Sequence, residues 1–150
     1  MIRMIQALCL WSVHTAAEEM GSSARYWRHQ APRAMAVCQQ VATRAQKWGL
    51  DPVEVIAVSY VETRHNADLV SSAGAVGPLQ AIPKYWRRKR DRDDISAGLR
   101  AWAYYRHKSA DARGAAGRYN GGGRNSAYAL QVEEHIDQLR MIERVARWPL

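Results

Sequence analysis

Glu62 is the residue best placed for acid chemistry, because it stands alone at the end of an apolar stretch. Residues 55–61 are mostly apolar, and Glu62 is the one charged residue between Glu54 and Arg64. Burial among apolar neighbours raises the pKa of a carboxyl, and a carboxyl that keeps its proton near neutral pH can act as a general acid. The alternative is a glutamate at a helix end that points into solvent.

A buried helix over residues 51–63 is predicted to position this carboxyl. Asp51 can cap the helix, Pro52 suits its first position, and Glu54 follows three residues after the cap. The apolar residues that follow surround the helix on nearly all sides, which is typical of a helix inside a core.

Three ordered blocks follow the N-terminal half of this helix. The first block begins with Glu62, Thr63 and Asn66 and continues with Ser71-Ser72-Ala73-Gly74-Ala75 and Gly77-Pro78-Leu79-Gln80. The second block is Ala97-Gly98-Leu99. The third block is Tyr119-Asn120 followed by Gly122. In this order the blocks resemble the soluble lytic transglycosylases, which cleave peptidoglycan. In that family the catalytic Glu precedes a Ser, an Asn-Pro turn, an S-x-x-G-A-x-G segment and a G-L-M-Q motif.

This resemblance implies an all-α, lysozyme-like, compact helical domain with a loop-lined catalytic cleft. It implies a single-carboxylate mechanism in which Glu62 is first the acid and then the base. The bond cleaved joins N-acetylmuramic acid to N-acetylglucosamine, the product ends in a 1,6-anhydro ring, and no cofactor is needed. The expected partners are peptidoglycan glycan strands and, around the enzyme, a phage virion or a secretion or conjugation assembly.

The resemblance also assigns roles to individual residues. Tyr119 matches the tyrosine whose hydroxyl reaches the catalytic carboxyl. The positions that match the family's substrate-binding residues are Thr63, Ser72, Gly77, Leu79, Gln80 and Asn120, among which Leu79 is expected to offer an apolar platform to a sugar and Gly77 a close backbone approach.

The chain departs from the family pattern at several positions, so other functions stay open. Pro78-Leu79 stands where the family has Leu-Met, and Ala67 replaces the turn proline. A hydrolytic lysozyme on the same fold would need a second, water-positioning acid such as Asp68. A structural or binding component of a virion or secretion machine would keep the fold without the reaction.

Charge and composition point to a polyanionic partner without identifying it. The net charge is +8, and aromatic residues comprise 6 Trp and 7 Tyr but no Phe. Residues 84–94 interleave basic residues with aromatics, as some nucleic-acid-binding segments do, but such a run is more typical of a solvated connection. Nucleic acid is therefore not the expected partner. The five histidines lack the spacing of metal ligands.

The N-terminal 20 residues have two interpretations. Their short apolar run after Arg3 predicts either an export signal or the first helix of the domain, which otherwise spans residues 33–148. The prediction is that deleting residues 1–20 leaves wall cleavage intact. In the first case the enzyme reaches the periplasm or cell wall by export. In the second, a virion or another route carries it there. No stretch reaches the ~20 apolar residues of a membrane span.

Cys38 is expected to be an unpaired buried residue, with a Cys9–Cys38 disulfide as the alternative.

The remaining elements follow from periodicity and caps. Residues 21–32 are predicted to be a loop, residues 65–76 a loop over Glu62, and residues 84–94 a connection. Helices are predicted at 33–48, 78–82, 95–108 behind a cap at Asp94, 112–119 behind Asp111, and from 127 to about 147 behind Ser126, with Pro149 closing the last.

Overall fold

The computed structural model describes residues 2–148, and its regular elements are all helices. A π-helical turn, Tyr26–Gln30, leads directly into the second of seven α-helices. The α-helices are α1 Ile2–Glu19, α2 Ala31–Lys47, α3 Pro52–Thr63, α4 Pro83–Trp86, α5 Asp94–His107, α6 Ala112–Asn120 and α7 Ala127–Ala146. Within the described range, β structure is limited to isolated bridges from Val76 to Val70 and Ala81. The prediction of an all-α chain is confirmed.

Helix α3 is the central helix, and it forms as the sequence predicts. The Asp51 carboxylate accepts a hydrogen bond of 2.9 Å from the N–H of Val53, and Pro52 occupies the first turn. Every residue from 53 to 60 is buried, and α3 packs against α1, α2 and α7. Because α3 is enclosed on three sides, only its two ends come near the surface, and the C-terminal end carries Glu62.

Helix α1 belongs to this core. Ile5, Leu8 and Val13 are buried, and the helix contacts α2, α3 and α7. Burying each such side chain contributes about 1.5–3 kcal/mol, so the three together approach the total stability of a small domain, about 5–15 kcal/mol. The structure therefore gives the opposite expectation for a deletion of residues 1–20, namely loss of the fold.

A disulfide joins α1 to α2. Cys9 is bonded to Cys38, 29 residues along the chain, and both are fully buried. The prediction of an unpaired Cys38 was wrong, although its burial was correct. Helical periodicity identifies a buried position, but it does not say which residue of another helix that position meets.

Two local predictions fail for identifiable reasons. Residues 24–30 are helical and not a loop, because Ser23 accepts a hydrogen bond from Tyr26 N–H and Pro32 falls in the first turn of α2, where a missing N–H is tolerated. Residues 78–82 form a turn and not a helix, since Gly77 and Gln80 both have left-handed backbones, with φ of +76° and +52°.

The other helices lie close to their predicted bounds. Asp111 and Ser126 cap α6 and α7 through the N–H groups of Gly114 and Ala129. The cap of α5 is Asp93, one residue before the predicted Asp94. Part of the predicted connection at 84–94 is helix α4. Pro149, expected to close α7, lies outside the described residues.

Candidate functional site

Glu62 lies in the last turn of α3 with its carboxyl half-buried. Burial raises the pKa of this carboxyl, and a hydrogen bond of 2.8 Å from the Tyr128 hydroxyl to Oε1 partly offsets that rise. Within residues 2–148, Tyr128 is the one hydrogen-bond partner of Glu62. The arrangement is that of a carboxyl able to hold a proton and to give it to a group at the surface.

Tyr119 does not fill the role that the sequence predicted. Its hydroxyl donates to the backbone carbonyl of Leu79 and not to Glu62. Burial and the nearby charge of Glu62 raise the pKa of Tyr119 well above its ordinary value, so the phenol stays protonated. Tyr119 thus lies near Glu62 but fixes the loop that follows α3.

Tyr128 is the functional candidate that sequence reasoning missed. Tyr128 recurs at helical spacing with Val132, His135 and Leu139, and this spacing indicates a residue that faces the core. The sequence holds no signal that pairs Tyr128 with Glu62, because that contact depends on how α7 docks against α3. Burial first, and then the charge of Glu62, raise the pKa of Tyr128 well above its ordinary value, so it remains a donor at neutral pH.

Thr63 and Leu79 are buried residues that hold the loop over residues 64–82. Thr63 is buried; its hydroxyl accepts from Asn66 N–H at 3.0 Å and lies 3.1 Å from the Pro78 carbonyl oxygen. Leu79 is fully buried, so it cannot be the predicted apolar platform. A Cβ on Gly98 would lie 2.4 Å from the Cβ of Leu79, which shows how tightly this loop packs on α5.

Gly77 and Gln80 likewise shape the loop. The Gln80 amide donates from Nε2 to the carbonyls of Leu69 at 2.9 Å and of Gly77 at 3.0 Å. A Cβ on Gly77 would lie 2.6 Å from the Cβ of Asp94. The need for glycine therefore comes from packing against α5 and from the positive φ, rather than from the predicted approach of a ligand.

Ser72 and Asn120 are the two predicted binding residues that the structure leaves exposed. Ser72 lies in the loop, and Asn120 is the last residue of α6. A cavity of about 200 Å³ lies between α4, α5 and α6, next to Gln80 of the loop. Its lining is mainly aromatic and includes Tyr85, Trp86, Tyr105, Tyr119 and the half-buried Gln80.

The backbone immediately after Glu62 and Thr63 is strained. Arg64 and His65 both have left-handed backbones, with φ of +55° and +63°, which is uncommon for residues with a side chain. The Arg64 guanidinium donates to the Glu19 carboxylate at 2.7 Å, so α1 helps to hold this conformation. Strain of this kind persists only where its surroundings enforce it.

A buried hydrogen-bond network supports the same bend. His65 is 1% exposed, with Nδ1 2.8 Å from the Ser59 hydroxyl and Nε2 2.7 Å from the Ser12 hydroxyl. Ser12 also lies 2.9 Å from Nε2 of His135 on α7. Burial lowers the pKa of both histidines to about 3. Both rings are therefore neutral at neutral pH and join α1, α3 and α7 behind Glu62.

Three acidic residues that could have assisted Glu62 are engaged elsewhere. Asp91, Asp93 and Asp94 form ion pairs of 2.6, 2.7 and 3.2 Å with Arg100, Arg44 and Arg87, respectively. Asp68 is exposed in the loop. In the part of the chain that the structure describes, the contacts of Glu62 include no second carboxyl.

Comparison with known proteins gives no matching family model, no similar curated protein and no similar solved structure. Among residues 2–148, no group of three or more His, Cys, Asp or Glu side chains is arranged to hold a metal ion. None of the described helices combines the length and the apolar character needed to cross a bilayer.

Proposed function

We propose that this protein is a peptidoglycan lytic transglycosylase with a lysozyme-like fold, in which Glu62 acts as acid and then as base. The observation that carries the proposal is the half-buried Glu62 carboxyl, whose pKa burial raises and which lies at the end of the central helix. The resemblance of the surrounding motifs to that family supplies the substrate class.

In the proposed reaction, Glu62 gives its proton to the oxygen between C1 of N-acetylmuramic acid and C4 of N-acetylglucosamine. The C1–O bond breaks, and the positive charge that develops at C1 is stabilised by the N-acetyl oxygen of the same muramoyl residue. The Glu62 carboxylate then removes the proton of the C6 hydroxyl, and O6 bonds to C1. Glu62 ends protonated as it began, and no water is consumed.

Tyr128 is assigned the role of positioning residue in this cycle. Its hydroxyl donates to Oε1 at 2.8 Å, which fixes the carboxyl and stabilises the carboxylate that exists between the two proton transfers. The other carboxyl oxygen, Oε2, has no hydrogen-bond partner among the described residues and is the oxygen assigned to proton transfer.

The nearest alternative is a hydrolytic lysozyme that uses the same acid. It requires a second group to activate water, and Asp68 is the exposed acid in the loop beside Glu62. The ion pairs that engage Asp91, Asp93 and Asp94 favour the single-carboxylate reaction.

Release of soluble fragments from dye-labelled peptidoglycan tests the proposal. We expect release by the wild-type protein and by Asp68→Asn, and a loss of about 10²–10⁴-fold in Glu62→Gln, because the amide cannot transfer a proton. Loss of activity in Asp68→Asn with an unchanged melting temperature would support the hydrolase. Equal release by wild type and Glu62→Gln would refute the assigned acid.

We infer that the protein acts outside the cytoplasm, at the periplasmic or cell-wall face. The buried Cys9–Cys38 disulfide supports this setting, since such bonds persist in oxidising compartments. A signal cleaved within the first 20 residues would remove Cys9 and most of α1, so delivery by a virion or a secretion assembly is the route that we propose.

A further inference from the structure

The segment over residues 84–92, here called the basic segment, concentrates positive charge on one surface. Elsewhere many arginines are paired with acids, as Arg106 is with Glu54 and Arg140 with Asp51. The basic segment holds five exposed cationic side chains that form no ion pair within residues 2–148: Lys84, Arg88, Lys89, Arg90 and Arg92. This local excess accounts for much of the net charge of +8.

Specific contacts fix the shape of the basic segment. The Asp91 carboxylate accepts from Arg88 N–H at 2.8 Å and from Arg100 at 2.6 Å. Arg100 also donates to the Trp86 carbonyl at 2.6 Å. These bonds hold Trp86 and Asp91, one on each side of the turn over residues 87–90, against α5, so the backbone that carries the cations has a fixed position.

The basic segment adjoins the aromatic cavity described above. Tyr85 and Trp86 line that cavity together with Gln80 and Tyr119, and Arg87 follows Trp86 directly in the chain. Tyr119 lines this cavity, and the charge of Glu62 acts on its phenol. A glycan strand bound in this cavity would bring the substituents of its sugars alongside the basic segment, because Tyr85 and Trp86 belong to both.

We propose that the basic segment binds the free carboxylates of the stem peptides on the glycan strand, so that the substrate is peptide-bearing peptidoglycan rather than bare glycan. This inference rests on the proposed function, because that function supplies the glycan. Exposed ion pairs contribute little singly, about 0.2–1 kcal/mol by measurement, but several along one strand add. The binding is screened by salt, since the cations are exposed.

Other polyanions fit the surface less well. Binding of single-stranded nucleic acid requires several aromatic rings presented to bases. In the basic segment only Tyr85 is well exposed, at 68%, while Trp86 packs edge-on against Tyr104 and Tyr105. Anionic lipid also attracts polybasic segments, but the residues from Arg87 to Arg92 provide no apolar side chain that would insert into a bilayer.

Co-sedimentation with two wall preparations tests the inference. One preparation is intact peptidoglycan. In the other an amidase has removed the stem peptides, and the lactyl carboxylates that this hydrolysis exposes have been converted to methylamides so that the glycan carries no charge in their place. All proteins carry Glu62→Gln so that no strand is cut. The segment variant has four neutralised cations, Arg88→Gln, Lys89→Gln, Arg90→Gln and Arg92→Gln. The matched control has the same charge change dispersed over three other elements, Arg3→Gln, Arg25→Gln, Arg28→Gln and Arg144→Gln.

We expect the segment variant to bind intact peptidoglycan about tenfold more weakly than its parent and the stripped preparation equally well. The control variant should retain most of the parent's affinity, and melting temperatures should agree among the three proteins. The parent should prefer the intact preparation, and added salt should reduce that preference.

Several results would overturn the inference. They are equal binding of the parent to both preparations, absence of binding to either, equal losses in segment and control variants, or tighter binding to DNA or to anionic phospholipid vesicles at the same ionic strength. The proposed reaction is judged separately, from the fragments that the wild-type protein releases. An active enzyme that cleaves both preparations equally would refute the inference alone.

Discussion

Replacing Tyr128 by Phe removes the hydroxyl that donates to Glu62 and leaves the ring in place. A hydrogen bond to a charged group contributes about 1.5–3 kcal/mol, and the bond here has an ordinary O–H···O length, 2.8 Å. Because Glu62 is half-buried and water can replace part of the lost donor, we expect the lower end of that range. The ionised carboxylate should therefore be less stable by about 1.5 kcal/mol, which weakens proton dissociation about tenfold.

Carbon-13 NMR of the Glu62 carboxyl, followed through a pH titration, measures this change without any assay of activity. The matched variant is Tyr119→Phe, which also removes one phenolic hydroxyl but leaves the Tyr128 bond intact, because Tyr119 donates to Leu79. We expect the pKa of Glu62 to rise in Tyr128→Phe and to change much less in Tyr119→Phe. The reverse pattern would refute the geometry and restore the role that the sequence motif gave to Tyr119.

Three further predictions concern stability. Deleting residues 1–20 should abolish the cooperative thermal transition, because α1 is part of the core; a folded, active truncation would contradict this. Replacing Cys9 and Cys38 together by Ala should lower the free energy of unfolding in urea by about 3.6 kcal/mol, from the entropy of closing a loop of 29 residues; an unchanged midpoint would mean that the bond contributes nothing. Glu62→Gln should raise the melting temperature at neutral pH. Burial raises the pKa of Glu62 in the folded state. The contribution of Glu62 to the free energy of unfolding is therefore greatest at low pH, where the carboxyl is protonated, and it is lost as pH rises through the folded-state pKa. The gain should therefore vanish in acid, and a gain that is independent of pH would contradict the stated cause.

The sequence predicts what is determined locally. Helix α3 begins where Asp51 and Pro52 place it, and α6 and α7 begin behind Asp111 and Ser126, because each cap bonds to an N–H only a few residues away. The run of apolar residues in α3 correctly indicates burial on nearly all sides. The position of Glu62 at the helix end follows from those bounds.

The contacts between helices are not predictable in the same way. Periodicity places Tyr128 on the buried face of α7, but the docking of α7 against α3 decides that it meets Glu62, 66 residues earlier. Cys9 and Ser12 belong to a segment that also has the composition of an export signal, so their contacts with Cys38 and His65 could not be inferred. Long-range packing, and not local preference, supplies these partners.

The loop over residues 64–82 shows why motif matches fix positions better than roles. The matched residues Thr63, Gly77, Leu79 and Gln80 do cluster, but each is occupied in holding the loop against α5 or against itself. A motif can be retained because it shapes a site rather than because its side chains touch a ligand. Ser72 is the exposed exception within the loop.

The most direct measurement of the central claim is mass spectrometry of the fragments that the wild-type protein and Glu62→Gln release from purified peptidoglycan. We predict muropeptides that end in 1,6-anhydro-N-acetylmuramic acid from the wild type, and none from the variant. Fragments heavier by one water, with reducing ends, would contradict the lytic reaction and require a second acid or a water-binding group beside Glu62. Anhydro products from both proteins would contradict the role of Glu62 itself.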